Sequence, residues 1–200
     1  MCPKTKVCPR TQASISSPHI FLAATEHIAI LDQGVPVWNQ WRKENPEIVP
    51  DLSTHDLTGR FLQKIDLSGA NLKAALLTVA ELEEANLDGA DLTGANMTGA
   101  DLNKSSAREA CFSGVDMSFA TLTFADFSGA DLTRSRLSEA ILFNTILRGA
   151  CLAHAHLRET ILTGSDLSGV DFTEANLIDI ISEGAILPID MPKMIRKKLT

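Results

Sequence analysis

The densest group of side chains able to bind a metal or act as nucleophiles in this 200-residue chain is CysLeuAlaHisAlaHis at 151–156, one thiol and two imidazoles within six positions. Zinc takes four tetrahedral ligands, or three and a water, and no fourth donor follows at a metal-binding spacing. Arg158 and Glu159 come next instead. Cys2 and Cys8, each followed by Pro, match no metal pattern, and no Gly-rich phosphate loop opens onto a helix. No Ser sits in a nucleophile elbow, and His19, His27, His55, His154 and His156 lack an evident catalytic partner. Carboxylates abound, and the densest stretch of them is Glu81, Glu83, Glu84, Asp88, Asp91 and Asp101. The pattern predicts binding rather than catalysis, with no catalytic residue, no cofactor and no metal site.

The element that carries these groups is set by a period of five. From Leu52 to Leu177 every fifth residue is Leu, Phe or Met except Ala107, and two positions before each, from Ala70 to Ala175, stands Ala, Ser, Thr or Val. The intervening residue is often Asp or Asn, as in AlaAsnLeuAspGly at 85–89 and AlaAspLeuThrGly at 90–94. An α-helix would swing successive Leu residues round its axis, and a strand would alternate their faces because five is odd. What satisfies the period is a chain that turns once per block, with the small residue and the Leu pointing inward. Gly at the block ends and Asp or Asn before the Leu are turn chemistry, so their carboxylates have a structural role. Such coils must stack to pair their backbone groups and bury a continuous apolar column.

The 26 consecutive blocks of 52–177 closely resemble the pentapeptide-repeat family. The resemblance implies an all-β solenoid, a right-handed quadrilateral β-helix with four blocks per coil, about 6.5 coils and a rod roughly 31 Å long at the spacing of paired strands. Residues twenty apart then stack. Cys111 and Cys151 share a face but lie two coils, roughly 10 Å, apart, too far for a shared bond. Ala107 leaves a core deficit that Phe112 and Phe127 are expected to fill. Some family members act as DNA mimics on type II topoisomerases, and the acidic stretch from Glu81 to Asp101 would serve that alternative. Yet the rod carries only about −10, nineteen Asp or Glu against nine Lys or Arg over 50–180, where duplex DNA of that length would present roughly 18 phosphates.

Four regions are expected: a flexible arm over 1–24, an N-terminal helical cap over 25–49, the β-helix over 50–180, and a C-terminal cap with a basic tail over 181–200. A cap is needed because a stacked coil exposes core and unpaired edges at its ends. Thr25 to Asp32 reads as a short helix closed by Gly34, and Pro36 opens a second that AsnPro at 45–46 stops. Trp38 and Trp41 share a face and should pack on the first coil. The leader containing TrpAsnGlnTrpArgLysGluAsnPro at 38–46 is similar to those preceding bacterial pentapeptide arrays. The apolar stretch Ile20–Ala24 ends too early for a signal peptide or a membrane span, and the four scattered cysteines do not argue for a disulfide framework. The expected location is cytoplasmic.

Stacking by twenties singles out one surface. Ile141 and Ile161 stand where most coils have Asp or Asn, and Phe143 where they have Ser or Thr. Phe119 and Phe124 occupy nearby corners, and Ile146 begins the next face. A clustered apolar surface implies a protein partner, a second copy, or a cover formed by the first twenty residues or the C-terminal tail. The function expected is a non-enzymatic interaction scaffold, with no small-molecule substrate and no nucleic acid.

Overall fold

A computed structural model describes residues 19–189, with side chains from Thr25 onward. Two helices precede the repeats: α1, His19–Leu31, and α2, Val35–Glu44. Helix α1 begins at His19, six residues before the expected Thr25, because the run HisIlePheLeuAlaAla at 19–24 continues the helix backward without a Gly or Pro to stop it. The expected arm over 1–24 therefore loses residues 19–24 to α1. Helix α2 has Pro36 in its first turn and Asn45 at its C-terminal cap.

From Asp51 onward the chain makes one parallel bridge per block, each to the residue twenty positions on, from Asp51↔Asn71 to Asp166↔Ile186. Four blocks thus complete one coil. We number the four faces by their first central residue: Leu52, Leu57, Leu62 and Leu67. The first and third faces are opposite, as are the second and fourth.

Each block repeats the same hydrogen bonds. In the block of Leu92, Asp91 N–H donates to the Ala70 carbonyl below at 2.9 Å, Leu92 N–H donates to Cys111 above at 2.8 Å, and Ala95 N–H closes the turn onto Leu92 at 2.9 Å. The Asp91 carboxylate accepts from the N–H of Thr93 at 3.1 Å. Asp56, Asn96, Asp116, Asp126 and Asp131 accept likewise, which is the local turn that Asp and Asn favour. The fifth residue of the block takes positive φ, as Gly94 does at 69° and Phe124 at 60°, which explains the block-end glycines. Central Leu and preceding small residues are buried from Ala70 to Phe172. Phe112 and Phe127 are fully buried with ring centroids 5.0 Å apart, in the blocks that follow and overlie Ala107, where the core would otherwise lack volume.

The first coil has no coil beneath it, and side chains of α1 and α2 meet its backbone. Asn39 accepts from Asp66 N–H at 2.8 Å and donates to the Lys64 carbonyl at 2.9 Å. Trp38, fully buried, donates its indole N–H to the Asp66 carbonyl at 2.7 Å, and Arg42 donates to the Ser68 carbonyl at 2.7 Å. On the first face, Asp51 N–H donates to His27 Nδ1 at 3.1 Å. These bonds take the place of those a preceding coil would make, so an otherwise open sheet edge is occupied. The Trp38 and Trp41 rings lie 5.3 Å apart and His27 packs 5.1 Å from Trp41.

Candidate interaction surface

On the third face, Thr121, Ile141, Ile161 and Ile181 form one bridged column. Most coils elsewhere place a carboxylate or amide at this position, where it binds the N–H two residues on. Isoleucine cannot, and presents apolar surface instead. Ile141 and Phe143 are exposed, and Phe124 at the adjoining corner meets Phe143 edge to face, centroids 6.1 Å apart at 85°. Phe119 is 55% exposed at the corner before this face and Ile146 is exposed at the start of the fourth. Of the six residues expected to form the patch, only Ile161 is half-buried. Ile181 and Ile186, both exposed, extend the surface towards the last described coil.

A second apolar group lies at the other end of the rod. Phe61 heads the column that leads to Ile141 and is 72% exposed, with Val79 and Leu76 exposed nearby. Sequence reasoning passed over it, although Phe61 stands at the same block position as Ile141. Together with Leu31, Gly34, Val35 and Arg60 it lines an open cleft of about 380 Å³ beside α1 and α2. Arg60 there pairs with Asp32 at 2.7 Å.

The acidic stretch is spread over three faces. Glu81, Glu83, Glu84 and Asp101 belong to the third face, Asp88 to the fourth, and Asp91 to the first, where it is buried. Cations meet four of the six: Lys104 on Glu83 at 2.8 Å, Lys64 on Glu84 at 3.5 Å, Arg108 on Asp88 at 2.6 Å and Lys73 on Asp91 at 3.0 Å. The Lys104 ammonium hydrogen-bonded to Glu83 holds that carboxyl below its ordinary range. Burial pushes Asp88 upward, but hydrogen bonds from Arg108 and Ser106 outweigh it and leave the carboxyl lowered. The rod therefore presents pairs of opposite charge where a nucleic-acid mimic needs continuous negative charge.

Residues 151–156 do not converge. Cys151 is disulfide-bonded and is therefore no thiolate ligand. His154 turns to the next coil, with Nδ1 3.1 Å from Glu174, and His156 lies exposed in the adjacent column of the second face. Among the described residues no group of three or more His, Cys, Asp or Glu is placed to hold a metal. Both described cysteines, Cys111 and Cys151, are disulfide-bonded, which overturns the expectation that the cysteines form no disulfide framework.

Among the described residues no helix is long and apolar enough to cross a membrane. Coils bridged every twenty residues around an Ala and Leu core define a repeat solenoid whose outer positions are free to vary. The model of pentapeptide repeats matches in eight copies over 65–103, 80–118, 110–149 and 150–180, more than half of the chain, and the protein belongs to this family. Its members fold as right-handed quadrilateral β-helices, in agreement with the architecture expected from sequence. Among solved structures, HetL from Nostoc sp. strain PCC 7120, a pentapeptide repeat protein involved in heterocyst differentiation regulation, is 31% identical, covering 72% of this chain and 77% of its own with a TM-score of 0.28. QnrB1, a plasmid-mediated fluoroquinolone resistance protein, is 19% identical over 76% of this chain and 97% of its own, with a TM-score of 0.48. A pentapeptide repeat protein from the Arabidopsis thaliana thylakoid lumen is 28% identical over 61% and 68%, with a TM-score of 0.26. No curated protein matches by sequence.

Proposed function

We propose that the protein is a non-enzymatic binding scaffold: a β-helix of about 6.5 coils, closed at its N-terminal end by α1 and α2, that docks a second copy of itself through the third face. The observation that carries this reading is the contiguous exposed surface of Phe119, Phe124, Ile141, Phe143 and Ile146. Ile141, Ile146 and Phe143 stand where other blocks place turn-stabilising Asp, Asn, Ser and Thr. Phe119 and Phe124 also hold positive φ, at 63° and 60°, a conformation that suits Gly better than a bulky ring. The cation-paired carboxylates give no comparable support to the acidic-mimic alternative.

The same φ supplies a clean test. Phe124→Gly removes a ring where the backbone favours Gly, and Phe143→Ser restores a residue of the kind most coils carry there. Burying each ring is worth about 1.5–3 kcal/mol, so the double variant should weaken association by at least a hundredfold. Light scattering over a concentration series should show a wild-type dimer and a monomeric variant of unchanged fold. A wild-type monomer at every concentration, or a dimer that persists in the variant, would overturn the self-association reading.

A further inference from the structure

Two rows of cationic side chains stack where the first face turns into the second. Arg134 and Arg136 stand on either side of the buried Ser135, and His154 and His156 take the same places one coil on, on either side of the buried Ala155. Arg136 and His156 are bridged neighbours, so the rows lie about 4.8 Å apart. All four residues are exposed.

The fold does not ask for these residues. In the outward column of the second face, Asp116 on one side of the pair and Asn176 on the other accept from the N–H two positions on, at 3.0 and 3.3 Å. Arg136, a donor only, has no acceptor for that turn, and His156 stands in the same place. Arg134 and His154 hold the corner at φ 57° and 59°, a conformation that suits Gly, which the same corner carries at 94 and 114.

Charge pairing also sets the cluster apart. Of the nine Lys and Arg over 50–180, Arg134 alone makes no ion pair among the described residues. Arg136 meets Asp116 only at 3.5 Å and its side chain stays 67% exposed. Arg158, just past the cluster, is 2.9 Å from its neighbour Glu159. His154 Nδ1 lies 3.1 Å from Glu174. A carboxylate only accepts, so Nδ1 carries the proton, and His154 Nε2 donates to an anion only when the ring is an imidazolium.

We propose that Arg134, Arg136, His154 and His156 bind a small ligand bearing two linked phosphates. Guanidinium forks match phosphate oxygens, and each protonated imidazole adds a donor. Two guanidiniums offset one phosphate of about −1.5 to −2, and two imidazoliums offset a second. Longer polyanions are excluded by the flanks: Asp116 lies beside Arg136 and Glu174 beside His154, so the positive surface ends after two coils. The cluster lies on the outside of the rod, with no cavity for the rest of a ligand, so the phosphates carry the recognition. The corner of the first and second faces is separate from the apolar third face, and this site does not depend on docking there.

The test is a pyrophosphate titration of the labelled full chain at constant ionic strength and slightly acid pH. It is followed by NMR at the Nε–H of Arg134 and Arg136 and the Cε1–H of His154 and His156, with His55 as internal reference. Saturating shifts at the four residues, with a dissociation constant on the order of 1 mM and no shift at His55, are expected. Arg134→Gln with Arg136→Gln, both at exposed positions, should weaken binding about tenfold or more with an unchanged thermal midpoint. Sulfate keeps its charge between about pH 5.5 and 8, on either side of the range where imidazole ordinarily titrates. Its affinity should rise about fivefold on acidification for wild type and stay level for His154→Gln with His156→Gln. Shifts that never saturate, equal shifts at His55, full binding by the arginine variant, or a wild-type sulfate affinity that ignores pH would overturn the site. A short DNA duplex that binds the same four residues more tightly than pyrophosphate would overturn the ligand class.

Discussion

Ser135 and Ser165 occupy equivalent core positions, two before a central Leu, and should respond to Ala substitution with opposite signs. Both are fully buried. Ser165 donates its hydroxyl to the Leu142 carbonyl, 23 residues back, as Thr145 does to Leu122 at 2.7 Å and Thr160 to Leu137 at 2.8 Å. The Ser135 hydroxyl, like that of Ser105, has no hydrogen-bond partner among the described residues. Ala is the commonest residue at this position in the chain, so the substitution leaves the backbone undisturbed. Ser165→Ala loses a net hydrogen bond, about 0.5–1.5 kcal/mol, while Ser135→Ala removes an unmet buried polar group that costs about 1–3 kcal/mol. The variants should therefore differ by about 2–4 kcal/mol. At about 2–4 °C per kcal/mol for a chain of this size, thermal midpoints read by circular dichroism should lie about 4 °C or more apart, one on each side of wild type. The two sites are only six blocks apart, so an array that melts in segments reports them similarly. If Ser135→Ala lowers the midpoint as Ser165→Ala does, the Ser135 hydroxyl is bonded in solution and the reasoning fails.

Burial holds His27 below its ordinary value near 6.5, and its Nδ1 must stay unprotonated to accept from Asp51. Its contribution is complete above about pH 6.5, the unfolded value, and is lost as pH falls from there through the lowered folded value. Denaturant midpoints should drop over that interval for wild type and stay flatter in His27→Gln; parallel curves for the two proteins would refute this. Asn39→Ala strips the acceptor from Asp66 N–H and the donor from the Lys64 carbonyl, at a cost of about 1–3 kcal/mol. Hydrogen exchange at the Asp66 amide should accelerate while the Asp131 amide, deep in the stack, keeps its rate. Equal rates at Asp66 in both proteins would show that the bond is not made.

The repeat was legible because every block makes the same demand: one Leu inward, one small residue inward, one turn. A solenoid multiplies that demand until the period stands out, and even the exception at Ala107 could be matched to Phe112 and Phe127. The stacked apolar surface was legible for the same reason, since the period of twenty converts sequence positions into columns. What remained hidden depends on contacts without a period. Trp38 was expected on the first coil from its spacing with Trp41, but Asn39, Arg42 and His27 meet that coil at places no spacing encodes, and the indole and imidazole gave no sign of bonding Asp66 and Asp51. The disulfides at Cys111 and Cys151 escaped for that reason too. The acidic stretch looked continuous only because sequence order ignores faces: Asp88 and Asp91 are three residues apart yet turn onto different sides, each to its own cation.

The apolar column carries weight because the fold does not ask for it. The interior is satisfied by Leu142 and Ala140 whatever stands at 141, since the block turns on the inward pair and the backbone ladder. An Asp or Asn at that position adds a hydrogen bond to the turn, as Asp131 and Asp166 do in neighbouring blocks. Ile141, Ile146, Ile161, Ile181 and Ile186 forgo this bond, worth about 0.5–1.5 kcal/mol each, and most of them expose hydrocarbon to water. One such replacement is ordinary surface drift, but five within the last coils, joined by Phe124 and Phe143 in edge-to-face contact, form a surface with its own internal packing. The rod would stand without it, and this is why we propose that the surface serves a contact outside the rod.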